Sequence, residues 1–275
     1  MQVLKQWLKR NFGNLVFRKQ KAAGSRTALE HWLQQVKQKI PAKLSDASFD
    51  VFTYHGEDGI LLYLLDQLGD VPTTFVDIGA GDCIKGNCAN LAVHFNWNGT
   101  FIDMNGFQLA VGKKFYKDKI AKGADIEFIE AEITQENVNQ LLEKYEGKAV
   151  GIVSIDIDGN DFWIWKAMEV IQPAIVVIEA KVEFGLRSIA VPYGILNHAS
   201  RDKWYNGASV EAFKKLGLSK GYKLVGANKQ GYNLFFVKQD SSLEAEKTEI
   251  ILDDPGTVSS FYPDSFFAAH KFENI

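Results

Sequence analysis

The chain of 275 residues has little of what stabilises small secreted or metal-bound domains: it contains two cysteines, six prolines and three methionines. Cys83 and Cys88 are too few for a disulfide framework or a zinc site, so we expect a reduced, intracellular protein. No apolar run reaches about 18 residues, and the sequence therefore predicts no membrane-spanning segment. Hydrophobic residues make up 46% of the chain and charged residues 24%. These values are typical of globular proteins and exclude disordered or fibrous chains.

Charge is distributed unevenly along the sequence. The net charge is −3, but residues 1–43 carry ten lysines and arginines against one acid, Glu30, whereas the rest of the chain carries 21 basic and 33 acidic residues. A protein that binds nucleic acid needs cations over its folded body. The acidic body therefore argues against nucleic acid as a partner, and the basic segment needs an explanation of its own.

The first 22 residues place apolar side chains at roughly helical spacing among cations, which predicts an amphipathic helix. Lys5, Lys9 and Arg10 interrupt the apolar run, so we do not expect a secretory signal. Two interpretations stay open: a peripheral contact of residues 1–22 with an anionic membrane surface, or packing of the helix on the domain or on a partner. We expect a cytoplasmic protein, which the first interpretation would place at the inner face of the membrane.

From about residue 72, short apolar runs alternate with helical patterns, which predicts an α/β fold with helices on both faces of a parallel sheet. The predicted strands are 73–78, 99–103, 125–130, 149–156, 174–180, 222–227 and 232–238, and the predicted helices between them are 84–95, 107–117, 135–145, 161–171 and 209–217. The last two strands are too close for a helical crossover and must form an antiparallel hairpin. The sequence thus predicts a Rossmann-like, seven-stranded, mostly parallel sheet with an antiparallel last strand. We expect three parts: a basic helical extension at 1–48, this domain at 49–240, and a tail at 241–275 that packs on it.

In doubly wound sheets, ligands bind beyond the carboxyl ends of the strands, so the acids and glycines there carry the functional signal. The first strand ends in VDIGAGD, residues 76–82, where Gly79 and Gly81 let the backbone turn sharply and approach a ligand. Asp103 ends the second strand, where a carboxylate can accept both hydroxyl protons of a ribose. Glu132 closes the third, where an adenine edge would lie. The predicted cofactor-binding residues are Glu57, Asp77, Gly79, Gly81, Asp103 and Glu132.

The ligand predicted from these residues contains adenosine, because acids occur at three consecutive strand ends and a glycine loop accompanies the first. A nicotinamide dinucleotide is disfavoured, since the third glycine of its G-x-G-x-x-G fingerprint would fall at Ile84. Together with the reversed terminal hairpin, the pattern indicates S-adenosylmethionine. For Glu57, which precedes the first strand at a probable helix start, two roles stay open: a helix cap, or a contact with the amino group of that donor.

Six motifs, taken in order, resemble the FkbM-type group of bacterial methyltransferases over roughly residues 50–238: HGEDGILLYLL (55–65), TFVDIGAGD (74–82), GNCANLAVHFNWNGTFID (86–103), VSIDIDGNDFWIWKAM (153–168), VVIEA (176–180) and VPYG (191–194). The resemblance implies a class I S-adenosylmethionine-dependent methyltransferase fold, usually with a sugar or polyketide hydroxyl as acceptor. It also implies that Gly79, Gly81, Asp103 and Asp156 face the cofactor or the reaction site. The chain departs from the family pattern at CIKGN (83–87), where relatives favour a glycine after the aspartate.

The segment SIDIDGND, residues 154–161, concentrates acids at the end of the fourth predicted strand. Strand alternation lets Asp156 point into the cleft, where partial desolvation can raise the pKa of a carboxyl group enough for it to act as a base. We predict Asp156 and Asp158 as catalytic base or acceptor anchor, and for Asp158 a capping role at the helix that begins at 161 stays open. Weaker candidates are Glu179, Glu183, His55 and His198.

A long irregular stretch at 183–207 follows the fifth strand, where an acceptor pocket or lid would lie. Its aromatic and basic side chains suit a sugar face and an anionic group, and the predicted acceptor-binding residues are Arg187, Tyr193, His198 and Tyr205. The predicted function is O-methylation of a small-molecule or glycan hydroxyl, as in glycan biosynthesis. The identity of the acceptor and the oligomeric state do not follow from the sequence.

Two other classes of function stay open. Asp156-Ile157-Asp158 has the D-x-D form with which some glycosyltransferases hold a divalent metal and a nucleotide sugar. No metal is expected for the methyltransferase, and if one is present its ligands would be Asp156, Asp158 and Glu183. The third class is a non-catalytic binding module.

Overall fold

The computed structural model describes residues 41, 43–120, 124–195, 204–253, 257 and 260–275. The predicted amphipathic segment 1–22 and His198 lie outside these residues, as does most of the extension predicted at 1–48. None of the described helices is both long and apolar enough to cross a bilayer.

The described strands form a central seven-stranded sheet and a small two-stranded one. They are β1 (Thr74–Ile78), β2 (Asn98–Asp103), β3 (Ile126–Glu130), β4 (Ile152–Ile155), β5 (Ile175–Glu179), β6 (Ile189–Ala190), β7 (Tyr222–Ala227), β8 (Asn233–Lys238) and β9 (Glu273–Asn274). The central order is β3-β2-β1-β4-β5-β8-β7, and only β8 is antiparallel to its neighbours β5 and β7. The mostly parallel sheet with an antiparallel last strand, predicted from the sequence, is confirmed.

Helices cover both faces of the sheet. They are α1 (Glu57–Leu68), α2 (Ala89–His94), α3 (Gly106–Tyr116), α4 (Val138–Leu141), α5 (Asp161–Ala167), α6 (Val210–Ser219), α7 (Thr248–Ile251) and α8 (Asp264–Ala269). Successive strand residues point to opposite faces, so Val76 belongs to the hydrophobic cluster on one face and Phe75 to that on the other. On the first face, the Trp165 ring of α5 packs 4.8 Å from the Phe236 ring of β8.

Three helices are shorter than predicted, and the one expected at 135–145 is an α-helix only over Val138–Leu141. The helix expected from residue 84 begins at Ala89, and the turn before it has Cys83 at φ = +59° and the Ile84 N–H bonded to the Asp82 carboxylate (3.1 Å). The helix expected to reach residue 171 ends at Ala167. There, Asn139 of α4 accepts a hydrogen bond from the N–H of Glu169 (2.8 Å) and donates one to the Ala167 carbonyl (2.8 Å).

The residues from 260 to the last strand pack against the segment that follows β5. β9 pairs antiparallel with β6, and the Ile275 N–H donates to the Ser188 carbonyl (2.9 Å). A third, aromatic-rich hydrophobic cluster lies between them, and its buried residues are Phe184, Ile189, Val191 and Tyr205. Several side chains of the segment in which the sequence predicts an acceptor pocket are therefore packed against the C-terminal residues.

Candidate functional site

The loop after β1 turns over the end of β4 at Gly79. Gly79 has φ = +78°, a conformation that L-residues rarely adopt, and its N–H donates to the Ile102 carbonyl (2.9 Å). A Cβ at this position would lie 1.7 Å from the Asp156 carbonyl oxygen. Only glycine therefore lets the β1 loop and the end of β4 approach so closely.

Asp103, at the end of β2, holds both the glycine loop and the start of α3. One of its carboxylate oxygens accepts a hydrogen bond from the Gly81 N–H (2.7 Å), and the other accepts from the Asn105 N–H (2.7 Å). Each carboxylate oxygen has a second lone pair, so two further donors can still be accepted. Asp103 can thus position the loop and bind ligand hydroxyls at the same time.

Two adjoining cavities open at the carboxyl ends of β1, β2 and β4. The apolar cavity, about 520 Å³, has Ile102, Ile133 and Ile157 in its walls together with Asp103. The polar cavity, about 350 Å³, lies on the other side of the glycine loop, beside Thr53 and the start of α1. The residues that line both cavities are Gly79, Gly81, Gln108 and Asp156.

Two further cavities, of about 570 and 620 Å³, lie beside Leu44 and the end of β7. They are larger than the polar cavity, but neither is lined by the glycine loop, by Asp103 or by the acidic segment after β4. The glycine loop, Asp103 and the acidic segment after β4 meet only at the two adjoining cavities, among the cavities that the described residues form. We therefore place the candidate site there.

Asp77 lies at the floor of the polar cavity. Its side chain accepts a hydrogen bond from the Cys88 N–H (3.4 Å), and beside it the Asn87 side chain donates to the Ser154 hydroxyl (3.0 Å). Burial, and to a smaller degree the charge of Asp103, raises the pKa of Asp77 to about 7. A Cβ on Gly86 would lie 2.7 Å from this carboxylate, so the loop is packed closely around it.

Glu57 lines the polar cavity and does not cap α1, whose N-cap is Gly56. Its Oε1 accepts hydrogen bonds from the side-chain amides of Asn228 (2.7 Å) and Asn233 (2.9 Å), and Oε2 accepts from the His55 N–H (3.1 Å). The capping interpretation is therefore wrong. Glu57 joins α1 to the β7–β8 hairpin and presents its buried carboxylate to the cavity.

Asp161, and not Asp158, supports the turn between β4 and α5. The Asp161 carboxylate accepts hydrogen bonds from the N–H groups of Ile157 (2.8 Å) and Gly159 (2.9 Å). Asp158 has φ = +58° and is exposed at the apolar cavity, while the N-cap of α5 is Asn160. The capping role considered for Asp158 is therefore wrong, because its neighbour Asp161 supplies the acceptor for the turn.

Replacing Asp161 with alanine should lower the free energy of unfolding by about 2–4 kcal/mol, because two N–H groups of a packed turn would lose their acceptor. Urea unfolding followed by circular dichroism would measure the change. Asp161→Asn keeps one acceptor oxygen and should lose less. An alanine variant as stable as the wild type would contradict this assignment.

Three carboxylates converge at the ends of β4 and β5. One oxygen each of Asp156, Asp158 and Glu179 lies within 4.8 Å of the others, so the group differs from the predicted metal set by having Glu179 in place of Glu183. The correction follows from position, because Glu179 ends β5 directly beside β4. Lys181 Nζ lies 3.7 Å from Glu179. This acidic trio is the set of described residues that could hold a divalent cation.

Asp156 is the acid best placed for proton transfer, because it lines both cavities. Burial raises the pKa of Asp156 to about 7, and the negative charges of Asp161 and Asp158 add to the shift. Burial, followed by the charge of Asp156, also raises the pKa of Glu179 well above its ordinary value. A carboxyl group with a pKa near neutrality can take up a proton and release it again at physiological pH.

The predicted acceptor-binding residues separate in the structure. Tyr193 lines the apolar cavity, where its hydroxyl donates to Glu136 (2.9 Å) and accepts from the Gln135 N–H (3.1 Å). Arg187 lines neither cavity and forms a salt bridge with Asp264 (2.6 Å).

Tyr205 also lies away from the candidate site. It is buried, its hydroxyl donates to the Lys271 carbonyl, and its ring lies 4.4 Å from that of His270. The C-terminal segment thus contacts both Tyr205 and Arg187, and neither residue lines the candidate site.

Gln108 and Lys85 are among the lining residues that were not predicted from the sequence. Gln108 lines both cavities because Asn105, whose side chain accepts from the Gln108 N–H (3.2 Å), caps α3 and fixes its first turn. The Asn-Gly pair after Asp103 was the signal for this turn. Lys85 also lines the polar cavity. The segment that contains it, residues 83–87, differs from the family pattern, and no role was predicted for it.

No protein-family model matches the chain, and no curated protein matches it. Among solved structures it is similar to an O-methyltransferase family protein from Burkholderia thailandensis, at 12% identity and a TM-score of 0.42, over 68% of this chain and 58% of that one. A magnesium protoporphyrin IX methyltransferase from Synechocystis PCC 6803, determined with bound SAM, matches at 12% identity and a TM-score of 0.42, over 66% of this chain and 77% of that one.

PKMT2 from Rickettsia typhi, in complex with AdoHcy, matches at 12% identity and a TM-score of 0.45, over 74% of this chain and 56% of that one. The chain thus spans less than two thirds of the length of two of these three proteins. With such identities and with TM-scores below 0.5, the similarities leave the activity of this chain to be argued from its own residues.

Proposed function

We propose that this chain is an S-adenosylmethionine-dependent methyltransferase of the FkbM type that methylates a hydroxyl group of a sugar or glycan. The observation that carries the proposal is the pair of cavities that join across Gly79, one apolar with Asp103 in its wall and the other lined by carboxylates. S-adenosylmethionine likewise has two parts, a nucleoside that suits the apolar cavity and a charged amino-acid group that suits the polar one.

The apolar cavity fits the adenosine part. Ile102, Ile133 and Ile157 offer apolar surface for a base, and Asp103 retains acceptor capacity for ribose hydroxyls. Glu132 lies at the rim, where its carboxylate can accept from an exocyclic amino group. Gly79 supports the fit as well, because it lines both cavities and its backbone approaches that of Asp156 closely, which brings the two cavities side by side.

The polar cavity fits the amino-acid part, whose ammonium group would face the carboxylates of Glu57 and Asp77. When bound, S-adenosylmethionine supplies a methyl group already activated on a sulfonium, so the protein mainly orients the acceptor and removes its proton. We assign proton removal to Asp156, because it lies where the cavities join and its pKa is about 7. Asp158 and Tyr193, on the rim, would anchor the acceptor.

Donor binding is the direct test. At about 100 times Kd, S-adenosylmethionine or its demethylated product should stabilise the protein by about 2.7 kcal/mol, which raises the melting temperature by roughly 5–10 °C. Asp103→Ala should weaken binding about 10- to 100-fold, whereas Asp118→Ala, an exposed carboxylate that lines neither cavity, should bind normally. Dialysis against EDTA should leave binding unchanged. A response only to a nucleotide sugar with manganese would contradict the proposal and favour a glycosyltransferase.

The acceptor class needs a separate test. Mass spectrometry of glycans from cells with and without the gene should show a loss of one CH₂ from a sugar hydroxyl in its absence. Cofactor binding without turnover on any glycan would favour the binding module.

The peripheral membrane contact of residues 1–22 and the cytoplasmic location stay predictions. Titration of the full chain onto anionic vesicles would test the membrane contact.

A further inference from the structure

Lys85 is a half-buried cation in the loop between β1 and α2, and it lines the polar cavity. Its Nζ lies 4.9 Å from the centroid of the ring of Tyr54, which lines the same cavity. Among the described residues it forms no salt bridge. Its charge is therefore available to a ligand.

The charges of the polar cavity are otherwise negative or titratable. The carboxylates of Glu57, Asp77 and Asp156 line it, and of the lysines and arginines in the described part of the chain only Lys85 does so. A ligand that carries both an ammonium and a carboxylate group complements this arrangement. Its ammonium group would face the acids, and its carboxylate would be repelled by them unless it lay against Lys85.

The backbone of the glycine loop offers such a carboxylate few donors. Six amide N–H groups between residues 79 and 88 already donate inside the protein, to the Ile102 and Ala80 carbonyls or to the side chains of Asp103, Asp82 and Asp77. The six donors are Gly79, Ala80, Gly81, Cys83, Ile84 and Cys88. A side-chain cation is therefore the strongest partner that this loop offers to a carboxylate, since six of its ten amide N–H groups are engaged and a neutral amide attracts an anion less than an ammonium group does.

We propose that Lys85 binds the α-carboxylate of the donor's methionyl group and makes the site select donors that carry this carboxylate. The inference rests on the proposed function. If Asp103 and the isoleucine walls take the adenosine part in the apolar cavity, the methionyl part extends past Gly81 into the polar cavity. Lys85 follows Gly81 by four residues on the same loop and lines the polar cavity but not the apolar one, which puts it on the methionyl side of the site.

Calorimetric titration with two ligands tests the proposal without any acceptor. The wild-type chain should bind S-adenosylmethionine at least about tenfold more tightly than its decarboxylated form, as expected for a charge-assisted hydrogen bond. Lys85→Met should lose about 10- to 100-fold in affinity for S-adenosylmethionine and change its affinity for the decarboxylated form less than about twofold. Lys85→Arg should keep most of the preference, and Lys114→Met, an exposed lysine outside both cavities, should behave as wild type.

The preference of the wild type should also shrink when NaCl is raised from about 0.05 M to about 0.5 M, because salt screens a pair at the cavity surface. This measurement needs no variant and holds even if Lys85→Met fails to fold. Equal binding of the two ligands by the wild type, or equal weakening of both by Lys85→Met, would overturn the role of Lys85. If the wild type binds neither ligand, the proposed function itself fails, which is a distinct result.

Discussion

Replacing Gly79 with alanine should abolish donor binding, with a loss of at least about 100-fold in affinity, and should lower the free energy of unfolding by about 3–5 kcal/mol. Two effects add at this position. The backbone angle φ = +78° costs an L-residue about 1–2 kcal/mol. The new Cβ would lie 1.7 Å from the Asp156 carbonyl oxygen, so the β1 loop or the end of β4 must move, and the passage between the two cavities moves with it.

Gly147→Ala is the matched control for this variant. Gly147 has φ = +70°, but a Cβ there would meet no atom within 4 Å, so the alanine variant should show the backbone cost alone. Gly81→Ala should be intermediate, because the nearest atom to its Cβ, at 3.2 Å, is the flexible end of Gln108. Thermal unfolding with and without S-adenosylmethionine measures both quantities. A Gly79→Ala protein that resembles Gly147→Ala would refute the close approach.

Asp156→Asn should lower the methylation rate by about 10²- to 10⁴-fold while donor affinity changes little, because the variant keeps the shape of the residue but cannot accept the proton. In the wild type the rate should rise with pH through about 7, as Asp156 becomes ionised. Single-turnover assays on the acceptor found by mass spectrometry would measure this. Asp158→Asn, which removes a neighbouring charge at a left-handed position that asparagine tolerates, should lose far less.

Stability gives an independent measurement for Asp156. Its pKa in the folded chain, about 7, exceeds the ordinary value of 3.8, so the folded state binds more protons than the unfolded state between about pH 4 and pH 7. The contribution of Asp156 to stability is therefore fully present below about pH 4 and is lost as the pH rises through about 7. Asp156→Asn should be more stable than the wild type at pH 8 and should vary less with pH. An unchanged stability profile would contradict the raised pKa.

The central sheet follows from the sequence because its strands are short, apolar and separated by helical patterns, and parallel strands must be buried on both faces. The glycine loop and Asp103 follow for a related reason, since glycine or aspartate after a short apolar run marks the end of a strand. Both signals are local. The strands and their end residues can therefore be predicted without knowing which distant segments of the chain contact each other.

Side-chain roles that depend on distant segments could not be predicted in this way. Arg187 and Tyr205 have the chemistry of acceptor-binding residues, but Asp264 and Lys271, far along the chain, bind them instead. Asp158 and Asp161 lie three residues apart in one motif, and only the turn geometry shows which of them accepts the backbone N–H groups.

The contact of Glu57 with the β7–β8 hairpin bears on how the protein is made. The two asparagine amides that hold the Glu57 carboxylate follow it by 171 and 176 residues. During synthesis, α1 and the glycine loop leave the ribosome long before these partners exist, so one wall of the polar cavity has no support until the final hairpin inserts beside β5. Recognition of the amino-acid part of the donor should therefore arise late, once the β7–β8 hairpin has emerged, and nascent fragments that end before residue 228 should bind the donor weakly.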